Sequence, residues 1–268
     1  MNEPVVSICC LTYNHEDYIR SAIESFLSQE TSFPVEIIIH DDASTDRTAE
    51  IVAGYRAQHP DRFVWLAQTE NQYSQGVRGI TARFVFPHAR GRYIALCEGD
   101  DYWTDARKLQ KQVEFLDAHP DFSGSFHETQ QVFEDGSLGR VFGQKAPDIF
   151  TAADTFTTLS PFHTSSLIFR NRLGPLPAWL GQVVSGDMAL FSIISALGPL
   201  RKLPGIMSVY RKHSRGITSL PTTTHRYHEQ RIALMQYLNE FHGFRHDAKA
   251  QKVIASHEKL MAKEPPRA

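Results

Sequence analysis

The chain has 268 residues, 28 Lys and Arg against 30 Asp and Glu, and a formal net charge of -2. That length can bury a core as one large α/β domain or as a domain with an appended subdomain, and the near-neutral charge removes any global case for nucleic acid as a partner. No apolar stretch approaches the roughly 18 residues of a membrane span, and the start MNEPVVSICC carries an acid where a secretion signal needs basic residues. Cys9, Cys10 and Cys97 all sit inside apolar runs, as buried reduced thiols do, so a cytoplasmic location is expected.

The first hundred residues alternate short β-rich runs with amphipathic segments, the pattern of βαβ units and a mainly parallel sheet with right-handed crossovers. VVSICCLTY (Val5–Tyr13) is nearly continuous apolar, as a strand buried on both faces is. Asn14 is a candidate cap for a helix in which Ile19, Ala22, Ile23, Phe26 and Leu27 recur at helical spacing. VEIIIHDD (Val35–Asp42) is the second strand, and Ser44 is placed to cap the helix running towards Gln58. RFVWLA and RYIALC read as further strands, separated by the Gly-punctuated segment Asn71 to Gly91. Thr104 then opens a helix with Leu109, Val113 and Leu116 on one face. After Pro120 the pattern loosens, with TSSLIFR strand-like and MALFSIISAL helix-like. From about Thr222 two helical segments follow, expected to pack against the sheet, and KEPPRA reads as a disordered end. Their basic leaning also admits a peripheral contact with the inner face of a membrane.

Three polar clusters end strands: TYN, HDDAST and CEGDDYW. In an open parallel sheet the carboxyl ends of the strands line the crevice where ligands bind, so these clusters converge although distant in sequence. Neither G-x-G-x-x-G after the first strand nor G-x-x-x-x-G-K-[ST] anywhere is present, so both common glycine-rich phosphate cradles are missing. A phosphate ligand here needs a hard divalent cation, Mn2+ or Mg2+, bridging carboxylates to diphosphate oxygens.

VSICCLTYNHEDYIRSAIESFLSQ, VEIIIHDDASTDRT and GRYIALCEGDDYWTDARKLQKQVEFL together resemble glycosyltransferase family 2, closely over residues 5 to 120 and loosely over 160 to 220. The resemblance implies an α/β GT-A fold: a Rossmann-like, mainly parallel sheet flanked by helices, with a smaller acceptor-side sheet and C-terminal helices. It divides the chain into a catalytic domain over 1–220, with a nucleotide-binding half (1–120) and an acceptor-binding half (121–220), and a helical extension over 221–268. It implies a metal-dependent, inverting transfer of a sugar from a nucleotide-diphosphate donor, UDP before dTDP, to a hydroxyl of a glycan or lipid-linked glycan in polysaccharide or glycoconjugate synthesis. By position, Tyr13 and Asn14 lie at the nucleotide, Asp42 accepts a hydrogen bond from the base with Asp41 beside it, and Asp100 shares in ribose and metal contacts. Glu98, Asp100, Asp101 and His213 are the implied metal set, with Glu98 where the family has an Asp. Asp187 in SGDMALF is the implied catalytic base, and Arg211 or Arg215 a phosphate contact.

The residues also admit plainer roles. Asp100, Asp101 and Asp105 can cap the following helix, Asp41, Asp42 and Ser44 can form an Asx-turn, and Asp187 can be a first-turn acid. Tyr13 and Asn14 need no ligand, and His242 with His246 reads as a solvated helix face rather than a zinc site. A sugar-1-phosphate nucleotidyltransferase and a non-catalytic nucleotide-binding module are the alternatives.

Overall fold

The computed structural model describes residues 3–183, 185–216 and 225–263. Four strands form its first half: β1 (Val6–Thr12), β2 (Val35–Asp41), β3 (Phe63–Ala67) and β4 (Tyr93–Leu96). They are parallel and lie in the order β3-β2-β1-β4. Helices α1 (Ile19–Leu27) and α2 (Thr48–Gln58) connect the first three, and a π-helical turn at Thr81–Val85 with a 3-10 turn at Phe86–His88 leads into β4. Val6, Ile8 and Cys10 pack with α1 on one face of β1, while Cys9 joins the core on the other. A strand sandwiched in this way has no polar face, which is why its run reads as continuous apolar sequence.

The second half continues the same sheet. β5 (Tyr102–Trp103), α3 (Lys108–Ala118), β6 (Gly124–Phe133), β7 (Leu138–Phe142), β8 (Ile149–Phe150) and β9 (Ile168–Arg170) precede α4 (Gly186–Ala196) and β10 (Leu200–Lys212). Ten strands form one sheet along β3-β2-β1-β4-β9-β6-β10-β5, with β7 on β6 and β8 on β10. Helices α1 and α3 cover one face, and α4 packs its Leu190, Phe191 and Ile194 into the other.

Two local expectations change. α1 and α3 begin later than Asn14 and Thr104, at Ile19 and Lys108, because both residues are committed elsewhere. Asn14 spends its side-chain oxygen on the Thr45 amide at 2.8 Å, and the Thr104 amide bonds to Met207 O at 3.0 Å. The C-terminal pair, α5 (His225–Phe241) and α6 (Asp247–Met261), also departs from its expected place. It packs on α4 through Met188, Ile193, Leu234 and Leu238, forming a layer outside the sheet. His242 is buried there, with Nε2 2.8 Å from Ser192 Oγ, and is no solvated helix face. The expected disordered end and the Thr222 helix start fall largely outside the described residues.

Glu36 joins β1, β2 and the entry to β4 at their amino ends. It is 3% exposed and accepts from Ser7 Oγ (2.6 Å), the Arg90 amide (2.8 Å) and the Arg90 guanidinium (2.6 and 2.9 Å). Removing the guanidinium strands part of a buried carboxylate. Arg90→Met is expected to cost about 2 kcal/mol in urea unfolding, and a loss near zero would show that water satisfies Glu36 instead.

Candidate active site

Strand order places the site. β1 runs on to β2 and β3 on one side, while β4 lies on its other side, so the β1/β4 boundary is where the connections diverge and a crevice opens at the carboxyl ends. The loops after β1 and β2 interlock there. Asn14 N bonds to Ser44 Oγ (2.9 Å), His15 N to Thr48 Oγ1 (2.8 Å) and Glu16 N to Asp46 Oδ2 (3.0 Å). In return Asn14 Oδ1 accepts from Thr45 N at 2.8 Å. Ser44 thus spends its hydroxyl on Asn14 and Asp41 rather than on capping α2, whose first residue is Thr48.

At the end of β4, Glu98, Asp100 and Asp101 each offer a carboxylate oxygen, all within 4.8 Å of one another. Gly99 between them is a steric necessity, since a Cβ there would meet Thr12 Oγ1 at 2.8 Å and Thr12 Cβ at 2.9 Å. Asp101 is fully buried, and its Oδ1 accepts the Arg211 amide at 3.0 Å. Asp100 Oδ2 accepts from His213 Nε2 at 3.1 Å, with His15 Nε2 at 3.7 Å. Asp100 Oδ1 and Asp101 Oδ2 are buried and have no hydrogen-bond donor among the described residues. Helix capping leaves these oxygens unexplained. The turn before α3 is instead closed by Asp105, its Oδ1 accepting the Arg107 amide at 2.8 Å.

The electrostatics follow from crowding. Glu98 is open to the crevice but ringed by protein, and that desolvation, then the charges of Asp100 and Asp187, push its carboxyl up to about 8. Burial first, then Asp100 and Glu98, raises Asp101 well above the ordinary carboxylate range. Burial also lifts Asp100, but the His213 hydrogen bond and His15 more than offset it, so Asp100 ends below its usual value. Burial pulls His163 down to about 4; this neutral ring has Nδ1 3.6 Å from Asp101 Oδ2. Two raised carboxyls and two orphaned oxygens form a hard oxygen donor set that fits a divalent cation.

The remaining expected residues gather at the same crevice. Tyr13 is 43% exposed at the end of β1. Asp41 is buried and bound to Ser44, while Asp42 accepts the amides of Gln72 (2.8 Å) and Tyr73 (3.0 Å), so both build the loops around the crevice. Each Asp42 oxygen keeps a second lone pair. Asp187 opens α4 close enough for its charge to raise Glu98. Arg211 braces the cluster rather than projecting freely. Its Nη1 donates to Asp100 O at 3.0 Å and its guanidinium lies 4.3 Å from the Tyr102 ring. Arg215 pairs with Asp17. His15, His163 and Ser160 escaped sequence reading, because a lone His or Ser in a loop carries no pattern.

Sheet and site together define a GT-A protein with an acidic crevice. Residues 7–192 match the family described as Glycosyl transferase family 2, and the chain belongs to that family. It is 39% identical over 216 residues to an uncharacterized protein of Mycobacterium tuberculosis (strain ATCC 25618 / H37Rv), covering 79% of this chain and 60% of that protein. The chain therefore spans less than two thirds of that relative. Staphylococcus aureus TarS 1-349 in complex with UDP-GlcNAc superposes with TM-score 0.67 at 18% identity, covering 97% of this chain and 73% of that one. The mannosyltransferase PcManGT of Pyrobaculum calidifontis, in complex with GDP-Man and Mn2+, gives TM-score 0.62 at 18% identity, over 100% of this chain and 77% of that one. At such identities the likeness shows the shared GT-A fold.

The raised carboxyls fix the sign of a pH dependence. With Glu98 at about 8, the metal-free protein holds that proton at neutral pH, and a cation must displace it. Mn2+ affinity by calorimetry is expected to rise at least about tenfold per pH unit between 6.5 and 7.5, because Glu98 and the raised Asp101 must both give up protons to the cation; a flat profile contradicts the shifts. Gly99→Ala is expected to abolish Mn2+ binding in the same titration, and full retention would show that β4 has room to move.

Proposed function

We propose that the protein is a metal-dependent, inverting glycosyltransferase that moves a sugar from a UDP-sugar, or secondarily a dTDP-sugar, to an acceptor hydroxyl. One observation carries this reading. Three carboxylates with two orphaned buried oxygens stand at the switch point of a GT-A sheet, with a fourth, Asp187, within electrostatic reach. The names of the structural neighbours, which carry UDP-GlcNAc in one case and GDP-Man with Mn2+ in the other, support a nucleotide-sugar donor and a divalent cation. The UDP preference rests on the first of these and on the family resemblance.

Glu98, Asp100 and Asp101 are the residues that would hold Mn2+ or Mg2+, with His213 setting the orientation of Asp100 from its Oδ2 side. Bound there, the cation supplies neutralisation of charge on a departing nucleoside diphosphate. Asp187 takes the proton from the acceptor hydroxyl as it attacks the anomeric carbon from the side opposite the diphosphate, which inverts the configuration. Ser160 Oγ shares its one proton between Phe162 O at 2.9 Å and Asp187 Oδ2 at 3.2 Å, which leaves Asp187 Oδ1 to receive the acceptor's proton. Tyr13, Asn14, Asp41 and Asp42 form the nucleotide side of the crevice. Tyr13 is the exposed aromatic surface there, and Asp42 offers its remaining lone pairs to a base N–H.

Residues 1–220 act as the catalytic domain, with a donor half to about 120 and an acceptor half beyond it. The acceptor is a glycan or lipid-linked glycan in surface polysaccharide or glycoconjugate synthesis, at the cytoplasmic side. No helix among the described residues is long and apolar enough to cross a membrane.

Nucleotide release from UDP-sugars with Mn2+ and candidate acceptors tests the reading. Asp187→Asn is expected to lower turnover about 10²–10⁴-fold, the range for a general base, while the thermal shift produced by UDP with Mn2+ persists. Turnover equal to wild type removes Asp187 as the base. Nucleotide binding with no turnover in either protein, across all donors, points to a binding module.

A further inference from the structure

Asp187 sits in the first turn of α4, two residues after Ser185, a left-handed residue at φ 58 with no side-chain cap. Local sequence therefore leaves the Asp187 carboxylate weakly fixed. Behind it lies Arg231 of α5, 1% exposed and among the largest fully buried side chains. Its Nη2 donates to Thr157 O at 2.9 Å, and its Nη1 stands 2.8 Å from Met188 Sδ. Both directed partners are neutral, and Nε is buried with no partner among the described residues. A cation is a poor space-filler. Leu or Met fills such a site without desolvating a charge, so the guanidinium calls for another reason.

Two connections supply one. Thr157 belongs to the segment that delivers Ser160, the hydrogen-bond donor to Asp187, and Met188 is the residue after Asp187 in the same helical turn. We propose that Arg231 is a positioning residue for Asp187, its planar fork tying the Ser160 segment and the first turn of α4 to one rigid group. The fork points two separate nitrogens along fixed directions in one plane, a geometry that the single rotatable nitrogen of an ammonium does not reproduce. Its charge is also felt at the site: burial lowers the guanidinium, and Tyr227 and Asp187 act against that. The α5–α6 pair is then part of the catalytic apparatus rather than an appendage. This inference rests on reading Asp187 as the base.

The test compares Arg231→Met, Arg231→Lys and Asp187→Asn in nucleotide release from UDP-sugar with Mn2+. Arg231→Met is expected to lose about 10–100-fold in kcat with donor KM within about twofold, as a misplaced catalytic group does, and Arg231→Lys to recover less than half of that loss. An Arg231→Met protein with wild-type kcat overturns the inference while leaving the base intact. Undiminished turnover in Asp187→Asn instead overturns the reading beneath it. If Arg231→Met does not fold, Met188→Leu and Ser160→Ala loosen the same clamp separately, and wild-type kcat in both overturns the proposal. Crystal structures of these variants give a readout independent of turnover, since an Asp187 carboxylate unmoved in all of them is equally decisive.

Discussion

The structure turns on mutual repulsion among three carboxylates at the end of β4. Glu98, Asp100 and Asp101 approach within 4.8 Å because Gly99 lets the chain press against Thr12 of β1. Neutral or cationic neighbours relieve part of the strain: His213 and His15 flank Asp100, and the Arg211 amide serves Asp101. What they leave is two oxygens without donors and two carboxyls that hold protons far above their ordinary range. A protein gains nothing in stability from such a cluster. A dication relieves repulsion, desolvation and unmet acceptors together, which makes the arrangement intelligible as a binding site.

The two halves of the sheet meet to make this possible. The chain leaves the acidic turn directly into β5, which pairs antiparallel with β10 through Tyr102 and Val209 and through Trp103 and Ser208. β10 then carries Arg211 to the cluster, and His213 follows at its end. The acids after β4 are therefore braced by a strand more than a hundred residues away. α4 brings Asp187 from a third direction, and its outer surface is covered by α5 and α6. Four separated stretches converge on one crevice, each held by a regular element.

Much of this architecture was legible in the sequence, for identifiable reasons. β1, β2 and β4 are buried on both faces, so their apolar runs are continuous and mark the parallel sheet, and the GT-A fold and family that the motif resemblance implied are borne out. β10 was not legible. Pro204 and Gly205 interrupt it, and its register with β6 shifts between Lys202 and Ser208, which hides a 13-residue strand as a loop. Helix starts were misread where a side chain served a distant partner. Asn14 Oδ1 accepts from the Thr45 amide and Ser44 Oγ from the Asn14 amide, a choice no local propensity records. Arg231 and His163 matter through tertiary contacts: helical spacing puts Arg231 on the stripe of Leu234 and Leu238 but says nothing of what its guanidinium holds. The acidic turn stood out for the opposite reason: three carboxylates in four residues conflict with each other locally, and such conflicts mark functional sites.

The central claim is that Glu98, Asp100 and Asp101 form one divalent-cation site serving a nucleoside diphosphate. Titrating the protein into Mn2+ while following the free-ion electron paramagnetic resonance signal, with and without UDP, tests it most directly. The account predicts one Mn2+ per chain, tighter binding when UDP is present, and loss of that binding in Asp101→Asn. Binding that ignores UDP, or that survives in Asp101→Asn at full strength, would contradict it.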